Sequence, residues 1–154
     1  MGRAVIAAAV AGLALSGCAT TKPVEAPSNF AWTYSTNPGE GAKLAFGRPQ
    51  SDEVVLMMVC NGASQVMLSA AGMNGAKLML ASGDTRTSVD GVVGEGFAGA
   101  EGLIEASVST RAPALDAFRR SGDLNLTSGG RTVSLAATDS DRPAVERFFN
   151  TCAA

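Results

Sequence analysis

Residues 53–70 read Glu-Val-Val-Leu-Met-Met-Val-Cys-Asn-Gly-Ala-Ser-Gln-Val-Met-Leu-Ser-Ala, and this stretch decides the fold class. Glu53–Cys60 alternates with period two: Val54, Leu56, Met58 and Cys60 face one way, and Val55, Met57 and Val59 the other. Both faces are apolar, so the strand is predicted to be central and covered on both sides. Asn61-Gly62 supplies a turn, and Ser64–Ala70 follows as the hairpin partner.

The same rhythm extends in both directions. Phe30–Ser35 and Ala42–Phe46 read as strands separated by Asn37-Pro38-Gly39. Downstream come Ala76–Ala81, a weaker Thr85–Val93, and Leu103–Ser109 with Ile104, Ala106 and Val108 inward. Asp123–Thr127 and Arg131–Ala136 form a hairpin through Ser128-Gly129-Gly130, with Leu124, Leu126, Val133 and Leu135 inward. Two helices interrupt the pattern. One spans about Ala112–Ser121, with Pro113 in its opening turn and Gly122 as terminator. The other spans Arg142–Cys152, capped by Ser140 or Asp141. Its Val145, Phe148, Phe149 and Cys152 fall at i, i+3, i+4 and i+7, which makes one buried stripe. The predicted fold is α+β: a mostly antiparallel β-sandwich or partly closed barrel of eight or nine short strands with two covering helices.

Ahead of this domain lies a different kind of segment. Arg3 precedes Ala4–Leu15, an uncharged apolar run of 12 residues. Such a run is too short to cross a bilayer core, which needs about 20, and has the length of a signal-peptide core. Leu15-Ser16-Gly17-Cys18 follows. The motif resembles the bacterial lipobox: an aliphatic residue, two small residues, then cysteine. The resemblance covers residues 1–18 and implies that Cys18 receives a diacylglycerol group and becomes the first residue after cleavage. Two or three acyl chains, at about 0.8 kcal/mol per buried methylene, hold a protein stably on a membrane. Ala19, in place of Asp, implies by the same resemblance an outer-membrane destination facing the periplasm. The expected organisation is therefore a signal peptide (1–17), a lipidated flexible tether (18–29, with Pro23 and Pro27) and one globular β-rich domain (30–154). Fully extended, the tether would reach on the order of 35 Å.

With Cys18 assigned to lipid, Cys60 and Cys152 are the two remaining cysteines. In an oxidising compartment they are predicted to form a disulfide across a separation of 92 residues. A second, looser resemblance agrees. A strand ending in Cys60, Leu115-Asp116-Ala117-Phe118 before Ser121-Gly122, a hairpin and a last helix ending in Cys152 are similar to small uncharacterised exported proteins of alphaproteobacteria. It covers about two thirds of the chain, and implies a fold and a disulfide but no activity.

Composition narrows function further. The chain has no histidine, which removes Ser-His-Asp and Cys-His nucleophile pairs, His-bound zinc and histidine pH switching. Without residues 1–17 it carries 11 cationic and 14 anionic side chains. The cations are scattered, so no nucleic-acid partner is expected. No cofactor or metal is expected either. Met57, Met58, Met67, Met73 and Met79 read more simply as core filling than as a Cu(I) site. Gly94–Gly99 matches G-x-G-x-x-G, but its glycine density reads as a surface loop, not as the start of a dinucleotide-binding helix.

That loop is nevertheless the candidate binding lip, with Glu95, Phe97 and Glu101 as its residues. The leading expectation is a non-enzymatic, lipid-anchored module of the cell envelope that binds an envelope protein or a glycan. Two alternatives compete. A lysozyme-inhibitor-like lipoprotein would present Glu95 and Glu101 to a basic enzyme. A glycan hydrolase would pair two of Glu95, Glu101 and Glu105, with Trp32 and Tyr34 for sugar stacking.

Overall fold

The hairpin at the centre of the sequence is also the centre of the larger sheet. In a computed structural model that describes residues 22–62, 64–94 and 102–152, β4 (Val54–Cys60) and β5 (Gln65–Ala71) pair antiparallel from Leu56↔Ala70 to Cys60↔Val66. Gly62 takes the left-handed backbone the turn requires, at φ 66°. β2 (Ala31–Asn37) and β3 (Gly41–Gly47) extend this sheet on one side, and β9 (Leu103–Ser109) and β8 (Val92–Gly94) on the other, in the order β2-β3-β4-β5-β9-β8. The second sheet runs β1-β11-β10-β6-β7. Its strands are β1 (Val24–Glu25), β6 (Lys77–Ser82), β7 (Thr85–Asp90), β10 (Asn125–Ser128) and β11 (Arg131–Ser134).

The fold is α+β, with five- and six-stranded sheets packed together. It is a sandwich and not a barrel, because no ladder among the described residues joins one sheet to the other. The covalent chain makes the crossings instead. Thr85–Val93, expected as one strand, breaks at Gly91: β7 stays in the five-stranded sheet and β8 joins the six-stranded one. A β-carbon at Gly91 would lie 2.5 Å from Ile104 Cγ2, so only glycine fits where the chain changes sheets. Another crossing is Ala26–Phe30. It corrects the expected tether, because Val24 and Glu25 pair in parallel with Val133 and Ser134 and belong to the sheet.

One core runs through both sheets and both helices. Leu56, Met58, Leu68, Ile104, Leu80 and Leu126 are fully enclosed, as the alternation predicts for their inward faces. The outward face of β4 differs from expectation. Met57 and Val59 are only half-buried, and Val55, skipped by the irregular β3–β4 pairing, packs against the core. The methionines divide accordingly. Met58 and Met73 fill the core, while Met67 and Met79 are exposed on outer faces.

Helix α1 (Pro113–Ser121) packs on β6 and β7, and α2 (Arg142–Cys152) on β2 and β3. Ala112 precedes α1 without a side-chain cap, and the orphan N–H of Ala114 is met from β7 by Thr87 Oγ1 at 3.1 Å. Gly122, left-handed at φ 76°, ends the helix by donating its N–H to Phe118 O. The start of α2 corrects the expected cap. The first turn closes on Thr138 O, and the buried Asp141 reaches back to accept the Thr138 N–H at 3.0 Å. Asp141 thus supplies the return half of a capping box.

The predicted stripe Val145, Phe148, Phe149 and Cys152 is buried. Each phenylalanine contributes roughly 1.5–3 kcal/mol of burial. Aromatic contacts run unbroken from Phe30 to Phe46, Trp32, Phe118, Phe149 and Phe148, at centroid spacings of 5.1–6.1 Å. At the end of the stripe, Cys152 is bonded to Cys60, as parity predicted, with their Cα atoms 5.5 Å apart. Closing a span of 92 residues stabilises by about 4–5 kcal/mol in the chain-entropy model.

Candidate functional site

Where the chain crosses from β1 to β2, the sheet edges part and leave a groove of about 230 Å³. Pro27 fixes the bend: the Phe30 N–H donates to Pro27 O at 3.0 Å, which turns the chain back into β2. Phe30 and Phe46 form the apolar wall, their ring centroids 6.1 Å apart. Ser134 and Thr138 form the polar wall, and Glu25 is the one ionisable side chain in the lining. The volume falls below the usual range for a small-molecule site, about 300–1,000 Å³. A single exposed carboxylate without a second acid or base beside it performs no acid–base pair chemistry. The groove can accept one apolar side chain or a turn of peptide, with Glu25 at its mouth.

The aromatics proposed for sugar stacking are not available in that role. Trp32 is buried, and its Nε1 donates to Leu135 O at 2.9 Å, tying the larger sheet to the segment after β11. Tyr34 is half-buried and shares its hydroxyl with Thr151 at 3.2 Å, while the Arg147 guanidinium lies 5.6 Å from its ring centre. Both are occupied in holding the fold together, Trp32 across to the segment after β11 and Tyr34 across to α2.

Glu105 is exposed on the outer face of β9, opposite Ser69 and Val92. Glu95, Phe97 and Glu101 lie outside the described residues, as does Cys18. Gly94, first glycine of the G-x-G-x-x-G run, ends a three-residue antiparallel edge strand paired with Leu103. A dinucleotide loop leaves a buried parallel strand, so its defining context is missing here.

The remaining polar clusters are structural. The Ser82 and Ser121 hydroxyls meet at 3.0 Å, and the Asp123 carboxylate accepts the Gly83 N–H at 3.2 Å. Together they tie the β6–β7 turn to the end of α1. Glu40 is held below the usual carboxylate range by hydrogen bonds from the Lys43 and Asn37 side chains and by the Lys43 charge. It lies in the β2–β3 turn, away from the groove. Among the described residues no group of three acidic or cysteine side chains suits a metal ion, and no helix is long and apolar enough to cross a membrane. Nothing positive among them points to catalysis.

Three features escaped the sequence reading: β1, the sheet change at Gly91, and Thr87 beneath α1. Val24-Glu25, set between Pro23 and Pro27, is too short to show periodicity. The other two depend on contacts distant in sequence. No family model matches the chain, and neither a curated protein nor a solved structure matches it.

Proposed function

We propose that the protein is a lipid-anchored lipoprotein of the bacterial cell envelope, on the periplasmic face of the outer membrane. There it serves as a non-enzymatic binding or structural module for an envelope protein or glycan. The observation that carries this reading is Leu15-Ser16-Gly17-Cys18 directly after an apolar run of signal-peptide length. The use of the other two cysteines in a disulfide supports it, because such bonds persist in exported proteins and are rare in the cytosol. The groove beside Glu25 supports binding over turnover, since it offers surface and one carboxylate but no reacting pair. The lysozyme-inhibitor reading rests on Glu95 and Glu101, and the hydrolase reading on a pair among Glu95, Glu101 and Glu105, of which Glu105 stands exposed on the outer face of β9.

The test is membrane fractionation with intact mass. The native chain is expected in the membrane fraction, starting at Cys18 and carrying acyl mass, and Cys18→Ala is expected to remain uncleaved or become soluble. A native product that retains residues 1–17 without acyl mass would refute the reading.

A further inference from the structure

We propose that the domain lies against the bilayer on one defined edge, with Val24, Val92 and Val93 in the lipid interface; this rests on the lipoprotein reading above. The argument begins with the length of chain left free. Because Val24 pairs with Val133, only residues 19–23 separate a lipidated Cys18 from the sheet. Six Cα steps of 3.3–3.6 Å span about 20 Å, not 35 Å. The domain therefore cannot stand off from the membrane. Some part of the edge where the tether leaves must face lipid.

That edge can be followed bond by bond. β1 runs parallel to β11 with Val24 opposite Val133, so the chain enters β1 from the side of Arg131 and the β10–β11 turn. Arg131 Nη1 donates to Gly72 O at 2.7 Å, and the Gly72 N–H donates to Gly102 O at 3.0 Å. The next residue, Leu103, pairs with Gly94 at the end of β8. The path from β1 to β8 is on the order of 20 Å across, a few strand spacings plus one arginine side chain. The tether's reach and the width of this edge are of the same order.

The same edge holds the most exposed apolar side chains among the described residues. Val92 is 73% exposed, Val24 56% and Val93 54%, whereas Met67 and Met79, on the outer sheet faces, reach only 37% and 39%. β8 is a sheet edge, and bare valines on an unpaired edge strand invite aggregation unless something covers them. The unpaired backbone of β8 keeps the contact shallow. Its N–H and C=O groups need headgroups or interfacial water, so the valines enter the interface and not the hydrocarbon core. Charge does not drive the contact: Lys22 and Arg131 at this edge are offset by Glu25 and Glu105. A short anchor raises local concentration to the millimolar range, which makes even a weak apolar contact persistent.

The experiment uses the full lipidated chain in phosphatidylethanolamine–phosphatidylglycerol vesicles. A nitroxide is attached through Val93→Cys, and in a separate sample through Asp84→Cys, in the exposed turn at the far end of β6. Collision with oxygen and with an aqueous nickel chelate is then measured. At position 93, chelate access is expected to fall at least ~3-fold below that at position 84, with oxygen access rising. The label at Val92 provides a second reading should Val93→Cys fold poorly. Equal chelate access at 92 or 93 and at 84, in protein whose acyl mass is confirmed, overturns this orientation and leaves the anchor standing. A chain without acyl mass overturns both.

Discussion

Replacing Phe118 by alanine tests whether the aromatic chain joins the two sheets. Phe118 has no exposed surface, and its ring lies 5.1 Å from Trp32 of β2 and 6.1 Å from Phe149 of α2. It is the residue of α1 that meets both the larger sheet and the other helix. Truncation removes the transfer free energy of the ring and leaves a cavity walled by side chains on three elements, which resists collapse. The expected loss is about 4 kcal/mol, from the 3–5 kcal/mol typical of enclosed phenylalanines, out of a total of roughly 5–15 kcal/mol. The corresponding fall in melting temperature is about 10–20 °C. Urea unfolding of the oxidised domain, followed by tryptophan fluorescence, reads both midpoint and slope. Trp32 reports directly because it contacts the deleted ring. Phe118→Leu is expected to cost only about 1–1.5 kcal/mol, since it keeps most of the volume. A loss below about 1 kcal/mol for Phe118→Ala at unchanged slope would mean that Phe118 does not join α1 to Trp32 and Phe149 as described.

Cys152→Ser is expected to lower stability by roughly 2–4 kcal/mol under oxidising conditions, with the difference vanishing when both proteins are reduced; equal melts without reductant contradict the bond. Thr87→Val keeps the shape but leaves the Ala114 N–H without its acceptor, at an expected cost of about 1 kcal/mol in urea unfolding, and an unchanged midpoint means that water serves the helix start equally well. The Glu40 carboxyl, followed by NMR, is expected to titrate below the ordinary glutamate range. With its folded pKa depressed, its contribution is present above the unfolded pKa and lost as pH falls through the folded one; an ordinary midpoint, or one unmoved by Lys43→Ala, contradicts the cause given.

Much of the framework was legible because it follows from local pattern. The alternation of residues 53–70 specifies a central hairpin, and the spacing of Val145, Phe148, Phe149 and Cys152 specifies which face of α2 is buried. The disulfide followed from parity and the compartment expected of the chain. What failed was whatever depends on the second side of an element. An apolar outer face on β4 reads the same whether covered or left half-open, so Met57 and Val59 were assigned cover they lack, and Met67 and Met79 a core they do not enter. Trp32 looked like a stacking platform because sequence does not show that Leu135 O waits for its indole nitrogen. Asp141 was recognised as part of the α2 start, but only the closed turn shows that it reaches back to Thr138. The candidate groove had no signal at all, because its walls come from β1, β3 and the segment after β11, joined only by the fold.

The parallel pairing of Val24 with Val133 has a consequence for the order of assembly. A chain emerging amino end first presents Val24 long before the strand that receives it exists, and Cys60 long before Cys152. Both closures wait for the last hairpin and helix, whereas β2 to β5 pair with their neighbours in sequence. High contact order of this kind slows folding, and here the final residues pull the beginning of the domain into place.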